Sequence, residues 1–236
     1  MIRTLISILL WPLLLLIFFC SVLIYIFLTF FISPMKLYPV ANLICRIILL
    51  SGGQWLKIEG KVPDKDQQPY LYLFNHESLM DPFMLGGAVK HYITAVGAEY
   101  QFSYPIWGTL AKHHGVIPIK RDNLKKAIHS LDKVEEAISK GKSFLISPEG
   151  TRTISGELGK FKKGPFHVAL NTGVTIVPTA LIGAYKAKKK TDWRLQPGIL
   201  KVRFGEPLMK KEYEGLKIEQ LKDLVKERIK ILINAQ

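Results

Sequence analysis

The fold of this chain is decided by one stretch, Tyr70-Leu-Tyr-Leu-Phe-Asn-His-Glu-Ser-Leu-Met-Asp81. Its first five residues form an apolar run after the turn-rich residues 63–69, so they predict a short buried strand. Polar side chains follow at once, among them His76 and Asp81. Because α/β proteins place ligands where a strand ends and a helix begins, the stretch predicts both the fold class and the position of a site.

After this stretch, short apolar runs alternate with amphipathic helices. Further strands are predicted at residues 93–96, 116–119, 144–147, 175–180 and 200–204. Residues 124–140 carry apolar side chains at three- and four-residue spacing, and residues 221–232 repeat this helical pattern. The order of elements predicts an α/β domain at residues 56–236, in which helices flank a mixed, largely parallel sheet.

The charge of the chain is concentrated outside its first 60 residues. The 236 residues are 48% hydrophobic, yet 33 Lys and Arg stand against 19 Asp and Glu, a net charge of +14. Residues 1–60 hold only four basic side chains and one acidic side chain, which leaves 29 basic and 18 acidic side chains for residues 61–236. A chain this apolar can bury a core, which excludes an intrinsically disordered protein.

The apolar head predicts membrane association. Residues 5–32 are almost wholly Leu, Ile, Phe and Val. As a helix they would extend about 42 Å, against about 30 Å for a bilayer core. A cleaved signal peptide would have a shorter apolar region and a small-residue cleavage site, and neither is present. Ser33-Pro34 ends this helix and residues 40–50 form a second apolar run, so residues 1–55 predict a membrane helix or a helical hairpin.

Cysteine positions exclude several kinds of site in the body. Both cysteines, Cys20 and Cys45, lie in the apolar head. The body therefore has no cysteine nucleophile, no disulfide framework and no thiolate metal site. No spacing of His or Asp indicates a bound metal, and we expect no cofactor. If the first helix crosses the membrane, the excess of Lys and Arg after it favours a cytoplasmic body.

His76 and Asp81 predict a base and its orienting partner. A carboxylate that binds one ring nitrogen fixes the tautomer and leaves the other nitrogen free to take a proton. Positions five apart lie about 140° apart on an ideal helix, so the pair requires a turn before the helix. Pro82 suits the first turn of that helix. Taken alone, the pair is more typical of a surface histidine near a capping aspartate.

Basic side chains follow two other strands. Lys120 and Arg121 end the run that begins at Gly115, and Arg152 follows the strand at 144–147. Lys160, Lys162 and Lys163 lie shortly after Arg152. Arg can bind two phosphate oxygens at once and Lys supplies a point charge, so the cluster predicts a phosphate site. We interpret the basic run at 186–190 as a solvated face.

Four blocks occur together in a known order and spacing. They are Asn75-His76-(four residues)-Asp81, Gly115-Val-Ile-Pro-Ile-Lys-Arg121, Pro148-Glu149-Gly150-Thr151-Arg152 and Ile176-Val177-Pro178. Over roughly residues 55–210 the chain resembles the 1-acylglycerol-3-phosphate (lysophosphatidic acid) acyltransferase family. The resemblance implies transfer of an acyl chain from acyl-CoA or acyl carrier protein to the sn-2 hydroxyl of 1-acyl-sn-glycerol 3-phosphate, which gives phosphatidic acid.

The same resemblance implies a role for each matching residue. His76 is expected to act as general base and Asp81 to orient it. The expected substrate-binding residues are Lys120, Arg121, Glu149, Gly150, Thr151 and Arg152, with Pro178 near the acyl path. Asn75 and Gly115 are expected to support the site. We also expect a phospholipid membrane as partner, with the catalytic domain on the cytoplasmic face of a bacterial inner membrane.

Two positions depart from the family pattern. Gly97 and Ala98 stand where relatives commonly carry two lysines, one of which is implicated in holding the acceptor phosphate. This departure leaves a different lysophospholipid or lipid hydroxyl open as the acceptor. A lipid or thioester hydrolase, in which the same base activates water, is a second alternative. A basic membrane-surface protein is a third; no array of base-stacking aromatic residues indicates nucleic acid as its partner.

Overall fold

A computed structural model describes residues 1–235. The strands are β1 (Gln54–Glu59), β2 (Tyr70–Phe74), β3 (Ile93–Ala98), β4 (Ile117–Ile119), β5 (Ser143–Ile146), β6 (Thr175–Ile182) and β7 (Gly198–Phe204). The helices are α1 (Ile2–Thr29), α2 (Pro34–Ser51), α3 (Asp81–Ala88), α4 (Pro105–His113), α5 (Leu124–Ser139), α6 (Gly164–Thr172), α7 (Ala184–Ala187), α8 (Lys210–Tyr213) and α9 (Ile218–Asn234). Short 3₁₀ turns lie at Lys65–Gln67 and Glu99–Ser103.

The predicted α/β class with a mixed, largely parallel sheet is confirmed. The seven strands form one sheet in the order β1-β7-β6-β2-β5-β3-β4. β2 pairs in parallel with β5 and β6, and β3 pairs in parallel with β5 and β4. β7 runs antiparallel to β6, and β1 is parallel to β7. The carboxyl ends of β2, β3, β4, β5 and β6 therefore lie at one edge of the sheet.

Each strand predicted from the sequence is present, but one strand was not predicted. β1 contains Gln54, Lys57 and Glu59, which interrupt its apolar residues and hide the strand in a hydropathy pattern. Its pairing with β7 extends the sheet toward the N-terminal helices. The body thus begins at Gln54, two residues before the boundary that we expected between head and body.

β2 divides the core of the molecule into two clusters. Its alternate side chains point to opposite faces of the sheet. Tyr70, Tyr72 and Phe74 pack in the cluster that includes residues of α2 and α3. Leu71 and Leu73 pack in the second cluster, with residues of α5, α6 and α9. Both faces of β2 are buried, which explains its run of five apolar residues and fixes the position of the loop after it.

α1 contacts the body along its whole length. Near its start the Ser7 hydroxyl accepts a hydrogen bond from the Leu195 N–H at 2.9 Å, and near its end the Tyr25 hydroxyl lies 2.8 Å from Nδ1 of His114. Its opposite face exposes large apolar side chains, among them Leu5, Leu9, Leu16, Leu23 and Phe27. α1 and α2 are each long and apolar enough to cross a membrane. Because α1 is attached to the body near both ends, its packing favours the hairpin over a helix that crosses alone.

Candidate active site

His76 and Asp81 lie in contact at the carboxyl end of β2. Nδ1 of His76 is 2.6 Å from Oδ2 of Asp81. His76 lies in the loop after β2, while Asp81 is the first residue of α3 and is followed by Pro82 in the first turn. The turn before the helix, which the five-residue spacing required, is therefore present. The His76 side chain is 21% exposed and the Asp81 side chain is fully buried. Of these two side chains, only His76 is therefore accessible to a substrate.

The buried carboxylate of Asp81 is held by backbone donors as well. The Glu77 N–H donates to Oδ2 at 2.8 Å, and the Ser78 N–H lies 3.0 Å from both oxygens. These bonds offset the cost of burying the carboxylate. A carboxylate only accepts hydrogen bonds, so Nδ1 of His76 carries the proton that it shares with Asp81. Nε2 of the neutral ring is then free to accept a proton from a substrate.

Glu149 holds the backbone of His76 from the loop after β5. Its Oε1 accepts the His76 N–H at 2.7 Å, and its Oε2 accepts the Gly159 N–H at 2.8 Å. The Thr153 N–H in turn donates to the His76 carbonyl at 2.8 Å. Burial raises the pKa of Glu149 above its ordinary value, while the two hydrogen bonds act in the opposite direction. In this arrangement Glu149 is a positioning residue; its contact with the acceptor stays a prediction.

Asn75 and Glu77 fasten the same loop to β6 and α7. The Asn75 side chain donates to the Leu181 carbonyl at 2.8 Å and accepts the Leu181 N–H at 2.7 Å. Oε2 of Glu77 accepts the Tyr185 N–H at 2.9 Å. Burial, with the charges of Asp81 and Glu149, raises the pKa of Glu77 to about 7. The supporting role expected for Asn75 agrees with these contacts, whereas Glu77 was not singled out from the sequence.

The Ser78 hydroxyl is buried and donates to a backbone carbonyl of the protein. The acceptor is the Lys188 carbonyl, at 2.8 Å. Lys188 itself is only 8% exposed. Lys190 lies beside Thr151, with Nζ 3.3 Å from the Thr151 hydroxyl oxygen. The interpretation of residues 186–190 as a solvated face is therefore wrong for Lys188, which is buried, whereas Lys186 and Lys190 are exposed as expected. The sequence pattern alone does not show which of these lysines lie beside the loops that carry Ser78 and Thr151.

The structure separates the other basic side chains that the sequence grouped together. The aliphatic part of Lys162 packs against Gly150, within the loop that bears Arg152. Lys163 instead forms an ion pair with Glu219 of α9 at 2.6 Å. Lys160 is exposed in the same loop. Arg152 and Lys162 therefore remain candidates for a phosphate site close to His76, whereas Lys163 is engaged elsewhere.

Lys120 and Arg121 follow β4 at the far edge of the sheet. Two strands, β5 and β3, lie between β4 and β2, which puts the ends of β4 and β2 about 14 Å apart. Arg121 is exposed at this end of the sheet. Gly115, which starts this block, has a φ of +78° at the turn before β4. Lys120 and Arg121 thus border the site rather than contact the loop that carries His76.

The last expected residue, Pro178, lies within the sheet. It is buried in β6 opposite Leu73 of β2. Its side chain is therefore part of the interior beneath the loop after β2, which is compatible with the expected place near an acyl path. Within residues 1–235, no three His, Cys, Asp or Glu side chains are grouped so that they could hold a metal ion.

Known proteins share this sequence pattern. The sequence model of the family described as Acyltransferase matches residues 56–182. The 1-acyl-sn-glycerol-3-phosphate acyltransferase of Pseudomonas aeruginosa is 30% identical over 200 residues, which cover 80% of this chain and 76% of that protein. The chain belongs to the 1-acyl-sn-glycerol-3-phosphate acyltransferase family. The resemblance carried by the four blocks is thereby confirmed.

Other members of the acyltransferase family are longer than this chain. The Cocos nucifera protein of the same name is 32% identical over 184 residues, 76% of this chain and 58% of that protein. The chloroplast protein LPAT1 of Arabidopsis thaliana is 38% identical over 135 residues, 56% of this chain and 37% of that protein. The chain thus spans between about a third and three fifths of the first curated relatives that it matches.

A solved structure shares the fold over almost the whole chain. The 1-acyl-sn-glycerophosphate acyltransferase PlsC of Thermotoga maritima superposes with a TM-score of 0.81. The alignment covers 97% of this chain and 95% of that protein at 22% identity. The likeness includes the region of α1 and α2, so the arrangement of N-terminal helices against the sheet belongs to the shared fold.

Proposed function

We propose that this protein transfers an acyl chain from a thioester to the sn-2 hydroxyl of 1-acyl-sn-glycerol 3-phosphate, which gives phosphatidic acid. The donor is an acyl-CoA or an acyl carrier protein. The observation that carries the proposal is the 2.6 Å contact between His76 and buried Asp81, with Nε2 of His76 free at the end of β2. The activity named for the curated relatives supports the choice of acceptor.

The reaction uses His76 as a general base. Nε2 takes the proton of the sn-2 hydroxyl while that oxygen attacks the thioester carbonyl carbon. The resulting tetrahedral intermediate expels the thiolate, which receives the proton from the imidazolium, so that ester and free thiol are formed. Asp81 orients the ring and stabilises the imidazolium between these steps. A base placed in this way contributes typically about 10²–10⁴-fold to the rate.

The N-terminal helices supply the contact with the membrane. The exposed apolar face of α1 would enter the bilayer, where acyl chains of both substrates partition. The basic body would face anionic headgroups, whose attraction for Lys and Arg falls with rising salt. In a bacterial cell we place the catalytic domain on the cytoplasmic face of the inner membrane.

The proposal is tested by assaying purified protein with an acyl-CoA, an acyl carrier protein thioester and a panel of lysophospholipids. Products are identified by mass spectrometry. We expect phosphatidic acid from 1-acyl-sn-glycerol 3-phosphate, and a loss of at least about 100-fold in kcat for His76→Ala. His167→Ala is the matched control, because His167 is exposed on α6, away from the loop after β2.

Two results would contradict the proposal. One is the absence of thioester-dependent acylation with every acceptor. The other is the release of free fatty acid at the same rate with and without an acceptor, which would indicate that water is the acceptor and that the protein is a hydrolase.

A further inference from the structure

The basic run at 186–190 returns to the catalytic loop after leaving β6. Two contacts fix its path: the Lys188 carbonyl accepts the Ser78 hydroxyl at 2.8 Å, and Nζ of Lys190 lies 3.3 Å from the Thr151 hydroxyl. Ser78 also donates its N–H to Asp81, the partner of His76. The lysines therefore lie beside both loops that surround His76, at the sheet edge where β2, β5 and β6 all end.

The cations of this run have no carboxylate partner. Within residues 1–235, no carboxylate oxygen lies within 4.0 Å of the charged nitrogens of Lys188, Lys190 or Arg152. Nζ of Lys188 binds only the Lys189 carbonyl, at 2.7 Å, although Lys188 is 8% exposed. Burial and the nearby charge of Arg152 lower the pKa of Lys188. The charge of Asp192 acts on this pKa in the opposite direction but forms no ion pair with Lys188, so the excess of positive charge here would be stabilised by an anion.

The opposite side of the site offers less positive charge. Gly97 and Ala98 end β3, between the loop after β5 and the end of β4. A side chain at Gly97 would start 3.1 Å from a Val116 methyl carbon and 3.3 Å from the Phe102 ring, so this position is closely packed. Arg121 lies further away, at the end of β4. The cations at residues 188–190, Arg152 and Lys162 thus lie nearer to the catalytic loop than Arg121 does.

We propose that Lys188 and Lys190 complete, with Arg152, the subsite that binds the phosphate of the acceptor. The inference rests on the proposed function and names the residues that select a phosphate-bearing acceptor. Lys190 and Arg152 lie where they can contact phosphate oxygens, and Lys188 adds positive charge from the protein side. The segment after β6 thus supplies positive charge that Gly97 and Ala98, at the end of β3, do not supply in this chain.

The test compares Lys190→Gln and Lys188→Met with Lys186→Gln, which removes the same charge from the exposed side of the run. Each variant is assayed with 1-acyl-sn-glycerol 3-phosphate and with 1-acylglycerol, which lacks the phosphate, at saturating donor. We expect Lys190→Gln and Lys188→Met to raise the KM for the phosphate-bearing acceptor about tenfold, since the first loses a charge-assisted hydrogen bond and the second loses a buried positive charge near the phosphate. The KM for 1-acylglycerol and the KM for the donor should stay unchanged in both variants. Lys186→Gln should have the same KM values as the parent. Lys190→Arg should restore the acceptor KM.

Other outcomes overturn the inference in distinguishable ways. An unchanged acceptor KM in Lys190→Gln overturns it, and because Lys190 is exposed this variant is decisive even if Lys188→Met does not fold. A rise in the donor KM would assign the lysines to phosphates of the donor. A matching loss of binding to vesicles that contain an anionic phospholipid would assign them to the membrane surface. A parent protein that acylates no acceptor contradicts the proposed function itself, whereas an active parent with unaffected variants contradicts only the subsite.

Discussion

At the scale of single residues, the contact between His76 and Asp81, the proposed catalytic pair, depends on the residues around it. Asp81 accepts backbone N–H groups from Glu77 and Ser78, and these bonds keep it in place when it is fully buried. Glu149 holds the backbone of His76 in the same way. Three acidic side chains therefore surround one histidine, and only Asp81 contacts its ring. Their different partners give them different roles.

Glu77, which is buried near Asp81 and Glu149, should make the free energy of unfolding depend on pH. Its pKa of about 7 in the folded protein lies above the ordinary value of 4.5, because the carboxyl is buried near Asp81 and Glu149. Between these pH values the folded state binds more protons than the unfolded state, so the free energy of unfolding falls as pH rises. We expect Glu77→Gln to remove this fall, which denaturant unfolding of parent and variant at pH 5, 6, 7 and 8 would measure. A parent–variant difference that does not change with pH would contradict the assignment.

At the scale of elements, the loop after β5 carries two charged side chains, Glu149 and Arg152, in different surroundings. Glu149 faces inward and is buried, with both carboxylate oxygens bonded to backbone N–H groups. Arg152, three residues later, has no carboxylate partner among residues 1–235 and is half-buried. Gly150 between them has a φ of +70°, a left-handed conformation that glycine adopts without strain. The turn at Gly150 thus separates a buried, hydrogen-bonded carboxylate from a half-buried cation.

This division predicts different kinetics for two variants in one loop. In Glu149→Gln the side-chain oxygen can accept only one of the two backbone N–H groups, and the other N–H group then faces the side-chain NH2, which cannot accept. We therefore expect a lower kcat and a little-changed acceptor KM. Arg152→Ala removes the proposed phosphate contact, so we expect an acceptor KM about tenfold higher or more, with kcat little changed. Steady-state kinetics with 1-acyl-sn-glycerol 3-phosphate would distinguish the two. Equal effects on both parameters in both variants would argue that the loop simply misfolds.

At the scale of the whole molecule, the N-terminal helices and the sheet form one packed unit. The buried side of α1 includes Ser7, Leu14, Val22 and Tyr25, which span the helix from end to end. α2 packs against both α1 and α3, the helix that starts at Asp81. The exposed side of α1 is apolar over the same length. The apolar head and the basic body are therefore packed against each other within one structure.

The exposed side of α1 predicts how the protein binds lipid. Leu9 is 75% exposed and Leu16 is 64% exposed. If this side enters the bilayer, replacing both by Lys should weaken vesicle binding at least about tenfold, because burial of each Leu is worth about 1.5–3 kcal/mol. Vesicle flotation would measure the loss. Leu124→Lys is the control, since Leu124 is 78% exposed on α5. Equal loss in the control, or none in the double variant, would show that α1 does not provide the contact.

The sequence by itself determined the features that depend on neighbouring residues. The apolar run Tyr70–Phe74 predicted the central strand, and the spacing of His76 and Asp81 predicted their contact, because a buried strand followed by a turn and Pro82 leaves few ways to place them. The four blocks were sufficient to identify the family. The N-terminal apolar segments were equally clear, since hydropathy is a local property.

Only the tertiary structure decided which distant segments meet at His76. β5 and β6 flank β2, so Glu149 and Leu181, 73 and 106 residues away from their partners, reach the loop after β2. Lys188 and Lys190 fold back to this loop for the same reason, although their run looks like a solvated face in the sequence. Strand order and side-chain burial arise from packing between segments far apart in the chain. Local composition and spacing do not reveal those contacts. The surroundings of Glu77, Lys188 and Lys190 were therefore visible only in the folded molecule.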